Sequence, residues 1–308
     1  MNAAIASGYA IGPFIAAIMY AITKDDISLD ADSSLGFVYN NLWWNRVTSP
    51  AWVIIAMIII TGLLLHFFLK EPEKESRELV QDGPSALEGI FSLSTKEKTA
   101  FALNCVASFT LPIFISSWEV FAVNLACGTW GWAPDIAAVY VGCVFLLLVP
   151  ACIVVGRCCR KMSDRDGQLV FALIATFSFF FLWDSHPGSK GVGVVILYTI
   201  GSFLMLLGFM VSRGFCWALQ SKQVPTQSKG LASIIMFMFY ISGRGSGALI
   251  ADLYKTDVQI AMDDFTRFTW YSWTPQNTYV WSMQIVCAAI AVMWILSYKI
   301  MIPAQGSS

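Results

Sequence analysis

An arginine stands at position 244 of this 308-residue chain, inside the run FYISGRGSGALIADLY, residues 239–254. A permanent charge amid apolar and small residues must find a carboxylate, backbone carbonyls, water or an anionic ligand, because arginine does not escape by deprotonation. Helical spacing sets Tyr240, Arg244, Gly247 and Ala248 on one face, and Gly243 and Gly247 form a small-xxx-small pair. The one acid deep in another apolar stretch is Glu119, and Asn104, Ser108, Pro112 and Ser116 recur at helical spacing before it. That polar stripe is the pattern expected beside a water-filled cavity. Three roles are open to Arg244 and Glu119: a structural ion pair, a substrate- or proton-coupling site, or snorkelling toward the helix ends. Arg213, at the end of its apolar segment, reads as a snorkelling residue.

Other chemistries find little support. There is no phosphate-binding Walker loop, no HExxH and no zinc-type cysteine spacing, so no cofactor or metal is expected. The two histidines, His66 and His186, fall near opposite faces, and no paired aspartates or Ser/Lys set share one depth, so an enzyme is not expected. Cys105, Cys143, Cys152, Cys216 and Cys287 lie in apolar runs and behave as small hydrophobes. A net charge of −1 gives no basis for nucleic-acid binding.

The elements that must position these residues are membrane helices. The chain is 57% hydrophobic and 13% charged, against about 25% charged in soluble domains. An all-α polytopic membrane protein follows, with the lipid bilayer as its first partner. Eight segments are long enough to span: about 3–22, 50–69, 100–124, 134–156, 168–183, 192–212, 231–251 and 278–300. The first has no basic n-region and reads as a retained helix. The loops joining them alternate in Lys/Arg content, 13 on one side and 5 on the other. By the positive-inside rule the richer side, with both termini, faces the cytosol, and residues 23–49 and 252–277 face away. That opposite side carries acidic residues and Trp43, Trp44, Trp270, Tyr271, Trp273 and Tyr279, as an interfacial belt does.

In the first segment, Gly8, Gly12 and Pro13 precede Ala16 and Ala17. This Gly-x₃-Gly-Pro pattern invites close helix approach and resembles the fifth-helix signature of the major facilitator superfamily, with alanines in place of a usual glycine pair. A charged linker at 71–98 leaves two segments before it and six after it. The resemblance thus implies a chain matching helices five to twelve: residues 1–70 the last two helices of an N-terminal lobe, and 99–303 a six-helix C-terminal lobe. Asp164, Arg165 and Gly167, in GRCCRKMSDRDGQ, resemble the superfamily's charged cytoplasmic loop motif. Pro50-x-Trp52, Phe68-x-x-Glu71-Pro72, the segment 118–142 and the segment 221–244 are similar to the vacuolar and lysosomal branch that includes SPX-domain phosphate transporters. No SPX domain is present.

The resemblance implies a secondary active transporter, or a large fragment of one, for a small anionic or polar solute or ion bound between lobes near the midplane. It also implies a multi-pass location, in a vacuolar or lysosomal membrane or in the plasma membrane. The alternative is a transport-inactive truncated paralogue that serves as an assembly or scaffold partner, since four helices of such a transporter are missing ahead of Met1. In either case Gly12 and Pro13 are expected to pack on the helix near 134–156.

Overall fold

Apolar runs of this length form helices because no other single-segment structure satisfies its backbone inside a bilayer. The computed structural model describes residues 11–19, 49–68, 86–184, 191–265 and 275–300, and these are helical, with short 3₁₀ turns and no strand among them. Helix α1 covers residues 11–19 and α2 Ser49–Phe68; α3 is the short Ala86–Phe91. There follow α4 (Thr95–Gly128), α5 (Pro134–Cys158), α6 (Asp164–Ser178), α7 (Val192–Gln223), α8 (Lys229–Phe265) and α9 (Pro275–Ser297). Among the described residues, six helices, α4 to α9, are long and apolar enough to cross a membrane. The chain is therefore a multi-pass membrane protein.

Several boundaries differ from the sequence expectation for local reasons. The end of the expected linker is ordered: Ser94 caps α4 through a capping box with Glu97, so the helix starts at Thr95. The motif around Asp164 is not a loop but the first turn of α6, with Ser163 as its cap and Asp164 and Asp166 favourably placed at the positive helix end. Helix α8 runs past Asp252 to Phe265, since no Gly or Pro interrupts ADLYKTDVQIAMDDF.

The buried centre is aromatic and glycine-lined. Trp118 is fully buried on α4 and donates its indole N–H to Ser202 of α7 at 2.9 Å. Phe114 stacks on Phe209 with centroids 4.6 Å apart. Gly208 of α7 lies on the backbone of α6 at Phe171 and Ala175, where any side chain would collide. Tyr279, expected in an interfacial belt, is instead buried, stacked 4.0 Å from Phe121 and hydrogen-bonded to Ser117 at 2.9 Å. The other belt residues lie outside the described ones. Exposed Leu146, Leu147, Phe177, Phe180 and Leu296 cover the outside of the bundle, as lipid contact requires.

Candidate functional site

Helices α4 and α8 hold the charged pair between them. Ser108 donates to Met236 Sδ at 3.3 Å, and Ser116 donates to the Arg244 carbonyl at 2.7 Å. Both links join residues 128 apart, so the two helices run parallel. They approach closely because Gly243 sits on the Phe109 carbonyl and Pro112, while Gly247 sits on Ile113 and Ser116. A methyl group at either glycine would enter the α4 backbone.

This approach delivers Arg244 to Glu119. One guanidinium nitrogen, Nη2, donates to both carboxylate oxygens, at 2.9 Å to Oε2 and 3.2 Å to Oε1. Glu119 lies nine residues before the end of α4, and Arg244 eight before Asp252, where the apolar part of α8 ends. At 1.5 Å per residue each is roughly 12–14 Å inside its helix end, so the parallel register brings the two charges level. The pair is not sealed: the Arg244 side chain is 34% exposed and that of Glu119 18%.

The other expected site residues fall into two groups. Ser108, Pro112 and Ser116 are buried against α8, so the stripe expected to line a water cavity is a helix–helix seam here. Asn104, also buried, donates to Gln223 of α7 at 2.8 Å. Tyr240 lies under Arg213, whose guanidinium carbon is 4.3 Å from the ring centroid. Arg213 does not snorkel: only 4% of it is exposed. A cation–π contact in a desolvated place is worth about 2 kcal/mol and draws it inward. The sequence held a signal for this: Arg213, Cys216, Gln220 and Gln223 follow one another at spacings of three, four and three, a second polar stripe at helical period.

No family model matches the chain, and none of the curated proteins or solved structures matches it. The site must therefore be read from its own geometry.

The remaining motifs are packing features in the structure. Asp164 pairs with Lys222 of α7 at 2.7 Å, and Gly167 lies under the Phe215 ring. Arg165 sits 3.9 Å over the Tyr298 ring, and the Tyr298 hydroxyl donates to Asp166. The motif thus ties the start of α6 to the ends of α7 and α9. The Asp166 carboxylate holds the Tyr298 hydroxyl above the ordinary tyrosine pKa, because the bond favours the protonated phenol. Of the first-helix motif, Gly8 lies outside the described residues. Phe14, next to Pro13, places its ring 3.1 Å from where a side chain on Gly142 of α5 would begin. The expected contact with α5 is thus made by Phe14; Gly12 itself has nothing within 4 Å of its missing side chain among the described residues. No cluster of metal-ligating side chains occurs among the described residues.

Proposed function

We propose that the chain is a secondary active transporter, or a large fragment of one, moving a small anionic solute past the α4–α8 seam, with helices α4–α9 as a major-facilitator-like C-terminal lobe. The observation that carries this reading is the partly open Arg244–Glu119 pair at depth in the spans. An ionised side chain there costs about 2.5–3.5 kcal/mol on insertion scales, so such residues are retained where they act. Arg244 meets both carboxylate oxygens of Glu119 through Nη2, and a guanidinium that binds a carboxylate in this way suits an oxyanion of similar shape. An arriving anion would compete with Glu119 for the guanidinium, and the displaced carboxylate would then take up a proton. A vacuolar or lysosomal membrane is the proposed location.

The scaffold reading rests on a different observation: the seam around the pair is closed by Gly243, Gly247 and Ser116, as in a purely structural ion pair. Flux separates the two. The purified chain in liposomes is offered labelled inorganic phosphate and small mono- and dicarboxylates. Saturable uptake that vanishes in Arg244→Gln, with folding retained, supports transport. A folded wild-type chain that moves none of them sinks it and favours the scaffold role.

A further inference from the structure

We infer that the adjacent Cys158 and Cys159 form an S-acylation site, with the chain on Cys159 seated in the groove between α5 and α7. The sequence there is GRCCRK, residues 156–161, at the end of a membrane span. Cys158 is exposed and Cys159 half-buried, whereas Cys105, Cys152, Cys216 and Cys287 are buried. Arg157, Arg160 and Lys161 flank the pair, and the positive-inside rule assigns this end to the cytosol, where long-chain acyl-coenzyme A is found. Juxtamembrane cysteines in such a setting are the usual targets of reversible S-acylation.

The second observation is the groove itself. Cys152 and Val155 on one face of α5 and Cys159, first residue of the 3₁₀ turn that follows it, stand opposite Val211, Phe215 and Ala218 of α7, with a cavity of about 290 Å³ between them. Gly156 opens it further, with nothing within 4 Å of its missing side chain among the described residues. The wall is mixed, apolar along Val155, Val211, Phe215 and Ala218 and charged at Arg160 and Asp164. A chain tethered at Cys159 meets the apolar side of this groove, Val155, Val211 and Phe215, at its point of attachment. The step needs no oxidant. The cysteine sulfur, as thiolate, attacks the acyl-coenzyme A carbonyl; the new thioester bond forms as the bond to coenzyme A breaks. Coenzyme A leaves as its thiol, carrying the proton the cysteine gave up.

The full chain is expressed in a eukaryotic host, and all free thiols are blocked under denaturing conditions. Thioesters are then cleaved with neutral hydroxylamine and the released thiols are mass-tagged. The wild-type chain should gain two tags, Cys158→Ser and Cys159→Ser one each, and the double variant none, while Cys143→Ser keeps both. Monodisperse elution in detergent shows that each variant is folded. A wild-type chain without hydroxylamine-dependent tags overturns the proposal, as does a double variant that keeps them.

Discussion

Glu119 and Arg244 are each a liability alone and tolerable together. Removing one partner leaves the other charged and short of its counter-charge, which is the costly case, whereas removing both leaves neutral groups in a seam already well packed. Glu119→Gln and Arg244→Gln should therefore each lower the unfolding temperature in detergent or nanodiscs. The double variant should recover much of the loss, with a coupling of about 0.5–3 kcal/mol, toward the low side because the pair is partly exposed. Strict additivity of the two losses would mean that the contact contributes nothing. Arg244→Lys keeps the charge but not the fork, so flux should fall further than stability does. The charges and their types were legible in the sequence, since one deep acid and one deep arginine leave few partners. Arg213 left only a partial trace, the polar stripe it opens on α7, because the Tyr240 ring it lies against is 27 positions away on another helix. Near a span end, sequence alone cannot weigh a distant aromatic face against the headgroup region.

Among elements, the α4–α8 pair sets the site, and three glycines on one turn and a half of α8 play unequal parts. Gly243 and Gly247 are buried on α4; Gly245 is exposed, with nothing within 4 Å of its missing side chain among the described residues. Gly243→Ala and Gly247→Ala should force the helices apart and lower both stability and the Arg244–Glu119 coupling. Gly245→Ala should be neutral or stabilising by up to about 1 kcal/mol, as helix propensity dictates. Equal effects at all three positions would show that backbone flexibility, not close approach, is what the glycines supply. The small-xxx-small spacing announced this seam, but not which helix it met or that the two ran parallel. Register between distant helices is fixed by side-chain fit and leaves little trace in either segment. At the other end of the bundle, the Tyr298–Asp166 bond makes a pH prediction. The folded pKa of Tyr298 is raised, so its contribution is complete below the ordinary tyrosine value and is lost as pH rises through the folded value. Tyr298→Phe should thus be less stable than the parent at neutral pH, with the gap narrowing in strongly alkaline buffer.

For the whole molecule, the decisive property is which end of the six-helix bundle faces the cytosol. From α4 to α9 successive helices alternate in direction, so one assignment fixes the turns between them. The sequence argued it from Lys/Arg asymmetry, and the structure groups Asp164, Lys222 and the Arg165–Tyr298 contact at one end, the same end that receives GRCCRK. Neutral polar contacts are found at the opposite end among the described residues. Asn277 both accepts from and donates to the Asp184 backbone, at 2.8 and 3.0 Å, and Gln276 donates to the Leu182 carbonyl at 2.7 Å. The eight native cysteines include exposed ones, so a scan starts from Cys143→Ser, Cys158→Ser and Cys159→Ser. Single cysteines are then placed at Lys222 and Ser92 on one side and at Gly131 and Gly191 on the other. In sealed, right-side-out vesicles an impermeant maleimide should label the Gly131 and Gly191 positions at once, and the Lys222 and Ser92 positions only after permeabilisation. Labelling of Lys222→Cys without permeabilisation would invert the whole topology. It would also carry the acylation site to the wrong face, so that proposal and the orientation stand or fall on the same vesicles.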